Sequence, residues 1–153
     1  MLSFIKRLFR PPLRVDVKYF HKGVPRIKPL VNGDWIDLAL PDSVSLFAGD
    51  FRLIPLGVAI RLPKGHEALV VPRSSTFVKY GIMQANSLGV IDNSYSGSND
   101  QWHFPAYATR DVVVPAGTRI CQFRLVRNQP RVMFAEVDHL DDTDRGGFGS
   151  TGA

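Results

Sequence analysis

The stretch RICQFRLVR, residues 119–127, decides the fold class because apolar and polar side chains alternate along it. Cys121, Phe123 and Leu125 fall on one face of an extended chain, and the residues between them are polar. Successive side chains of a β-strand point to opposite faces, so this alternation is typical of a strand with one face against a core. The stretch therefore predicts a half-buried β-strand.

Seven other runs are short, rich in β-branched and aromatic residues, and separated by turn residues. The chain contains 11 prolines and 13 glycines, which leave little room for long helices. One short helix is predicted after Pro72, from about Ser75 to Tyr80. Strands at this spacing favour an all-β antiparallel sandwich or barrel. The seven runs span residues 15–20, 35–40, 51–62, 67–72, 103–108, 112–114 and 132–138.

Length and composition restrict the class of protein. The 153 residues, 44% of them hydrophobic, suit one globular domain, and no apolar run approaches the roughly 18 residues that a membrane span needs. The single cysteine, Cys121, excludes an internal disulfide and a zinc site built from cysteine pairs. Nothing in this composition requires an oxidising compartment, so a cytoplasmic location is expected.

The positive charge is confined to the front of the chain. Residues 1–28 contain eight basic residues and one acidic residue, a net charge of +7, whereas the rest contains 11 and 13, a net charge of −2. The rest of the chain therefore lacks the excess of basic residues that is typical of a nucleic-acid-binding surface. We expect a basic N-terminal extension over residues 1–13, for which a mobile or partner-packed role is favoured over a membrane anchor. A β domain over residues 14–140 and a flexible C-terminal arm over residues 141–153 are expected to follow.

Four stretches carry more polar groups than turns require, and each has two interpretations. In VPRSSTFVKYGI (71–82), an Arg and two hydroxyls lie at the start of the predicted helix. They would either bind phosphate or cap the helix. NSLGVIDNSYSG (86–97) reads as a hairpin in which Asp92 is a general base or a turn former. GTRICQF (117–123) carries an Arg and a Gln that bind a ligand or form a strand-edge ion pair. DRGGFGSTG (144–152) is a closing lid for an anionic, ring-bearing ligand or a disordered tail.

Together with GDWIDLAL (33–40), these stretches follow the order and spacing of the five motifs of the trimeric dUTPases. Over residues 14–152 the chain resembles this dUTP nucleotidohydrolase family, in the version of Gram-positive bacteria and their phages. The resemblance implies a jelly-roll β subunit and a homotrimer with three active sites between subunits. It also implies an enzyme that, with Mg²⁺, hydrolyses dUTP to dUMP and pyrophosphate by water attack on the α-phosphate, which keeps uracil out of DNA and supplies dUMP for thymidylate synthesis.

The resemblance further implies the roles of individual residues. Asp92 would orient and deprotonate the attacking water. Tyr95 would lie under the sugar and leave no room for a 2′-hydroxyl, and the hairpin with Asn86 and Gly89 would read uracil. Asp37 would help to hold Mg²⁺ through water, with the triphosphate as the main ligand. Phosphate ligands would be Arg73, Ser74 and Gln122, joined by Arg145, Ser150 and Thr151 of the arm at the γ-phosphate.

Three departures from the family motifs bear on these roles. Ser75 stands where Gly is usual in the second motif, and Cys121 stands where Ala is usual in the fourth. In the fifth motif Arg145 precedes Phe148 by three residues rather than five. By resemblance Phe148 would be the ring that covers uracil. Some relatives take this ring from between the third and fourth motifs, where NDQWHFPAY (99–107) leaves Phe104 as an alternative.

Two other functions are compatible with the same scaffold. A dCTP deaminase would need a Glu near the uracil-reading hairpin, but Glu67 and Glu136 both lie in predicted strands away from it. A regulator that binds a partner protein is the alternative that is not an enzyme, and retention of Asp92 and Tyr95 favours an active site instead. No phosphate-binding GxxxxGK[ST] motif and no helical histidine pair supports another catalytic class.

Overall fold

A computed structural model describes residues 11–28, 31–140, 142–144 and 146–147. These residues form eleven strands and one helix. In chain order the elements are β1 (Asp16–Tyr19), β2 (Ile36–Ala39), β3 (Val44–Leu46), β4 (Phe51–Pro55), β5 (Val58–Arg61), β6 (His66–Pro72), α1 (Ser74–Tyr80), β7 (Ile82–Gln84), β8 (Gly89–Ile91), β9 (His103–Ala108), β10 (Val112–Val114) and β11 (Arg119–Arg127). The prediction of an all-β fold with one short helix is confirmed.

The strands form four antiparallel sheets. The largest, called the main sheet below, has the order β2-β11-β6-β8, and the second has the order β4-β9-β7. Two ribbons, β1-β5 and β10-β3, complete the set. Partners in both larger sheets are distant in sequence, so residues from several motifs are brought onto neighbouring strands.

The central strand β11 has the two faces that its sequence predicts. It pairs with β6 on one side and with β2 on the other. Cys121 and Phe123 are buried and Leu125 is half-buried, whereas Arg124 on the other face is exposed. The pairing with β2 shifts register between Arg119 and Cys121. At this bulge the adjacent residues Ile120 and Cys121 are both buried.

The core lies between the sheets and is built around aromatic rings. Trp102, Phe104 and Phe123 are buried, and the rings of Trp102 and Phe123 meet edge to face with centroids 5.2 Å apart. Burying one side chain of this size stabilises a fold by about 1.5–3 kcal/mol. Aliphatic residues of the β strands surround these rings and join the sheets into one core.

The helix begins one residue earlier than predicted and ends at a glycine. Gly81 has φ 65°, and its N–H donates to the carbonyl of Phe77 at 2.7 Å. A Cβ at this position would lie 2.9 Å from side-chain atoms of Thr109 and Arg110. Both the left-handed backbone and the close approach therefore require Gly81.

Two of the predicted strands differ from the structure. The run 51–62 is two strands, because Gly57, with φ 72° and Val24 packed on its Cα, breaks it. The run 132–138 is exposed and forms no strand, since no strand of the described residues pairs with it. The short strands β3 and β7 were not predicted from the sequence. Within the described part of the chain, no helix is long and apolar enough to cross a membrane.

Candidate functional site

Two arginines meet one carboxylate at one end of the main sheet. Nε of Arg73, directly after β6, lies 2.8 Å from Oδ1 of Asp37 on β2. Nη1 of Arg119, at the start of β11, donates to Oδ2 of Asp37 at 2.9 Å. Side chains of Asp37 and Arg73 are about a quarter exposed, so the ion pairs are shielded on one side only. The strand-edge ion pair that was one interpretation of the stretch 117–123 is thus present, and it joins residues from three motifs.

Gln122 completes this group, which we call the Asp37 cluster: Asp37, Arg73, Arg119 and Gln122. Gln122 stands opposite Asp37 in the pairing of β11 with β2, so both side chains share the outer face of the sheet. Two guanidinium groups against one carboxylate leave a net positive charge. The cluster is therefore suited to an anion with several oxygens.

The start of α1 is tied to the same strand. The hydroxyl of Thr76, which is buried, donates to the carbonyl of Ile120 at 2.6 Å, and the N–H of Arg73 reaches the same carbonyl at 3.4 Å. Among the described residues no side chain caps the helix, so the capping interpretation of Ser74 and Ser75 is wrong. The exposed Ser74 hydroxyl lies beside Arg73, in a position to bind a ligand.

A cavity of about 470 Å³ extends from the Asp37 cluster along the free edge of β2. Asp37 and Arg119 line it, together with the basic residues Arg26 and Lys28. These two residues add positive charge beside the cluster, and sequence analysis missed them. Their only signal was the excess of basic residues in the first 28 positions, which does not show where those residues fold.

Asp92 lies in a tight turn directly after β8. Its Oδ1 accepts bonds from the N–H of Ser94, at 2.6 Å, and from the Ser94 hydroxyl. Its backbone carbonyl accepts the N–H of Tyr95 at 3.2 Å. The hydrogen bonds from Ser94 hold the pKa of Asp92 below its ordinary value, so the carboxylate is ionised at neutral pH. Oδ2 has no partner within the described residues and is exposed to solvent. Asp92 is therefore both a turn former and an available base.

Tyr95 is held at its hydroxyl end while its ring stays accessible. The hydroxyl donates to the carbonyl of Gln101 at 3.1 Å, and 41% of the residue is exposed. The side chain of Gln101 in turn accepts the N–H of Gly57 at 3.0 Å. The ring thus has a fixed position beside the Asp92 turn.

The loop 85–88 between β7 and β8 brings Asn86 and Gly89 together with Gln84. The two strands belong to different sheets, and among the described residues no strand returns after Asn93 and Ser94, so the prediction of a hairpin over 86–97 is wrong. Asn86 is exposed in the turn, and its Oδ1 accepts a bond from Nε2 of Gln84 at 3.0 Å. A Cβ at Gly89 would lie 3.2 Å from Cβ of Val70 and 3.4 Å from Nε2 of Gln84, so a glycine allows this close packing. Gln84 was missed, because a single Gln in a short apolar run carries no recognisable signal.

The prediction that Phe104 is an alternative covering ring is wrong. Phe104 lies on β9 with none of its surface exposed, and its neighbour Trp102 is also buried. A ring inside the core cannot stack on a bound base. The remaining candidate, Phe148, and the arm residues Arg145, Ser150 and Thr151 lie outside the described residues.

The structure also bears on Cys121 and the glutamates. Cys121 is fully buried, so the prediction that its face of the strand lies against the core is confirmed, and burial together with the charge of Asp37 raises the pKa of its thiol. Glu67 lies on β6, one position beyond the pair of Ala68 with Ile91, and is therefore beside the end of β8 and the Asp92 turn. The prediction that Glu67 lies away from the uracil-reading segment is wrong. Glu136 lies in the exposed segment without regular structure.

One chain does not bring the Asp92 turn to the Asp37 cluster. Ile91 pairs with Ala68 near the start of β6, whereas Arg73 follows the end of the same strand. Six residue positions separate the level of Asp92 from that of Arg73, about 20 Å at roughly 3.3 Å per residue. The chain therefore presents two groups of polar residues at opposite ends of the main sheet.

Comparisons with known proteins identify the family. The dUTPase family model matches residues 35–152. The SPbeta prophage-derived deoxyuridine 5'-triphosphate nucleotidohydrolase YosS of Bacillus subtilis (strain 168) is 51% identical over 140 residues, which cover 92% of this chain and 99% of that protein. Among solved structures, a Staphylococcus bacteriophage 80alpha dUTPase with dUPNHPP has a TM-score of 0.77 at 18% identity, covering 92% of this chain and 99% of that one.

A second solved structure adds a metal to the comparison. A variant of the dUTPase from phage phi11 of S. aureus, described with a structural Mg(II) ion, has a TM-score of 0.65 at 14% identity and covers 85% of this chain and 98% of its own. The fold is thus shared with phage dUTPases, and the sequence match extends over most of the residues that carry the five motifs. The chain belongs to the dUTPase family.

Proposed function

We propose that this chain hydrolyses dUTP to dUMP and pyrophosphate in a site completed by a second copy of the chain. The observation that carries the proposal is the division of the functional groups into two halves. One half, the Asp37 cluster, is a set of donors suited to phosphate. The other half, the Asp92 turn, holds a carboxylate and an accessible aromatic ring, and β8 connects it to the loop that carries Asn86.

The first half of the site binds phosphate through charged and neutral hydrogen-bond donors. Arg73 offers a guanidinium that Asp37 holds in place, and Gln122 and Ser74 offer neutral donors beside it. Guanidinium groups bind phosphate oxygens through paired, charge-assisted hydrogen bonds. Arg145, Ser150 and Thr151 of the arm bind the γ-phosphate in this proposal, and their addition closes the site against water.

The catalytic half activates water. Asp92 is ionised, and Ser94 fixes its Oδ1, which leaves Oδ2 to accept a proton. The water oxygen forms a bond to the α-phosphorus as its proton passes to Asp92, the bond from the α-phosphorus to the bridging oxygen breaks, and pyrophosphate leaves. A general base of this kind contributes about 10²–10⁴-fold to the rate.

The nucleoside is read by the loop residues around Asp92. The ring of Tyr95 packs under the deoxyribose and leaves no space for a 2′-hydroxyl, because its hydroxyl is anchored to the carbonyl of Gln101. Backbone groups at Gly89 and the side chain of Asn86 contact uracil. Phe148 covers the opposite face of the base.

Mg²⁺ fits these residues as a water-bridged ion. Among the described residues no group of three or more His, Cys, Asp or Glu side chains is placed to hold a metal. Each oxygen of Asp37 accepts one guanidinium contact and retains a lone pair that can accept a bond from a metal-bound water. Mg²⁺ usually keeps several waters and binds substrate phosphates, where it neutralises their charge. Asp37 would therefore hold the hydrated ion beside the triphosphate.

The separation of the two halves supports sites shared between copies, and the homotrimer is the assembly that the resemblance to the family implies. The Asp92 turn and Arg73 of one chain are about 20 Å apart. One dUTP molecule cannot place its α-phosphate at Asp92 and its sugar on Tyr95 and also reach Arg73 of the same chain with its other phosphates. Closed rings form when each copy binds the next through a head-to-tail contact. In such a ring the Asp92 half of one copy faces the Asp37 cluster of its neighbour.

Pyrophosphate release tests the activity, with dUTP compared against dCTP, dTTP and UTP. We expect rapid release from dUTP alone. Deamination of dCTP, or no turnover of any of the four, would contradict the proposal.

Mixed trimers test the shared site. Asp92→Asn and Arg73→Ala should each abolish most activity when present alone. Refolded together in equal amounts, they should regain about a quarter of wild-type activity, because random assembly pairs an intact Asp92 with a neighbour's intact Arg73 at that frequency. A mixture that stays as inactive as its components would place both residues in one subunit's site and overturn the shared arrangement.

A further inference from the structure

Gln84 is a buried amide directly before the loop that carries Asn86. It is the last residue of β7 and is only 7% exposed. Its Nε2 donates to the carbonyl of Val70 at 3.1 Å and to Oδ1 of Asn86 at 3.0 Å. One nitrogen therefore links the main sheet to an exposed side chain of the loop between β7 and β8.

The contact with Val70 determines which way both amides point. A backbone carbonyl only accepts hydrogen bonds, so the atom of Gln84 that faces it has to be the nitrogen. The second hydrogen of that nitrogen points to Asn86, which must present its oxygen in return. Nδ2 of Asn86 is then turned outward, to the exposed side of the loop.

The outward nitrogen distinguishes two pyrimidines. Uracil carries a carbonyl oxygen, O4, at the position where cytosine carries an amino group. An amide nitrogen donates to O4 of uracil, but it meets another donor on cytosine, and both groups then remain unpaired. Sites that leave polar groups unpaired reject the wrong ligand by large factors.

We propose that Gln84 is a specificity-determining positioning residue, which makes the site select dUTP over dCTP by holding the Asn86 amide with its nitrogen toward O4 of the base. The inference rests on the proposed function, because it requires the segment around Asn86 to read uracil. Gln84 itself does not touch the nucleotide and acts through Asn86.

The cost of burying Gln84 supports a role beyond packing. Its Oε1 is buried and has no hydrogen-bond partner among the described residues. A buried amide oxygen without a partner destabilises a fold, and an apolar residue of similar size would avoid that cost. Packing alone does not require an amide at position 84. What the amide adds is a donor, which Gln84 directs to the carbonyl of Val70 and to Asn86.

The first test replaces Gln84 by Met, which keeps the length of the side chain and removes the donor. The ratio of kcat/KM for dUTP to that for dCTP is measured by pyrophosphate release, together with Tm. We expect the ratio to fall at least about tenfold in Gln84→Met and to stay at the wild-type value in Gln129→Met, the same change on an exposed side chain. A purely structural role would change Tm and leave the ratio intact, which would overturn the inference.

The second test changes the exposed partner, so that folding of the core is not at risk. Asn86→Asp keeps an acceptor for Gln84 but presents an oxygen outward, and it should lower the same ratio at least about tenfold. In the Asn86→Ala background, Gln84→Met should change the ratio no further, because Gln84 then has nothing to orient. An unchanged ratio in Asn86→Asp, or an additional change in the double variant, would contradict the inference.

The wild-type protein separates this inference from the proposed function. Preferential hydrolysis of dUTP by the wild type, with an unchanged ratio in the variants, removes the role of Gln84 and leaves the proposed function standing. Failure of the wild type to hydrolyse dUTP overturns both.

Discussion

Arg73 and Asp37 are joined by an ion pair of 2.8 Å between Nε and Oδ1, although 36 positions separate them in the sequence. The pairing of β2 and β6 with opposite sides of β11 brings them together. Because Arg119 binds the other oxygen of Asp37, one carboxylate positions two guanidinium groups. A residue implied to hold a metal through water thus also organises the phosphate-binding side chains.

Asp37→Asn should weaken the phosphate half of the site. The amide replaces a charge that positions Arg73 and Arg119, and hydrogen bonds to charged groups are worth about 1.5–3 kcal/mol each. We expect kcat/KM for dUTP to fall by about 10- to 100-fold, with a higher KM. The matched control is Asp42→Asn, an exposed carboxylate in a turn. Equal kinetics of the two variants would refute the organising role of Asp37.

Asp92→Asn should retain binding of dUTP and lose turnover. The amide still accepts the bond from the N–H of Ser94, so the turn is preserved, but it cannot take a proton from water. Removal of a general base costs about 100-fold or more in kcat. Turnover is measured by pyrophosphate release and binding by calorimetry with a non-hydrolysable dUTP analogue. Near-normal turnover would exclude Asp92 as the base.

Ser94→Ala should move the acidic limb of the pH profile. In the wild type, hydrogen bonds from Ser94 lower the pKa of Asp92, so the active carboxylate persists to low pH. Removal of the hydroxyl raises that pKa, and the decline of kcat/KM on acidification should therefore begin at a higher pH. Ser98→Ala, in the same loop, is the control. Superimposable profiles for the wild type and Ser94→Ala would show that the hydroxyl does not tune the base.

Tyr95→Ala should relax selection against ribonucleotides. The ring is 41% exposed beside the Asp92 turn, and its loss opens space for a 2′-hydroxyl. We expect kcat/KM for UTP to rise relative to dUTP. Tyr95→Phe keeps the ring and removes only the bond to the carbonyl of Gln101, so it should retain most of the selection. If Tyr95→Ala discriminates as well as the wild type, the ring is not the steric gate.

The sequence predicted the parts of the fold that depend on local pattern. The alternation in 119–127 was enough to predict which face of β11 is buried, because successive side chains of a strand point to opposite faces. The division of 51–62 was not predictable, since it depends on Gly57 packing against Val24, a contact between distant segments. For the same reason the ion pairs of Asp37 required the register of three strands.

Residues of the candidate site could be predicted only where they belong to a motif of the family. Arg73, Gln122 and Asp37 were identified by resemblance, and the structure brings them together at one end of the main sheet. Gln84 belongs to no motif, and its importance follows from its burial and its two acceptors. Sequence alone also could not show that the Asp92 half lies at the other end of the sheet.

The identity of the ring that covers uracil can be tested with two matched variants. Phe104 is fully buried among core residues, so Phe104→Ala should destabilise the fold by about 3–5 kcal/mol, the usual cost of deleting a buried aromatic ring. Phe148→Ala should leave Tm unchanged and raise KM for dUTP, because stacking on a base is worth about 1–3 kcal/mol. Thermal unfolding and dUTP kinetics below the unfolding transition distinguish the two effects. A stable Phe104→Ala variant with a raised KM would contradict the core position of Phe104 and restore it as the covering ring.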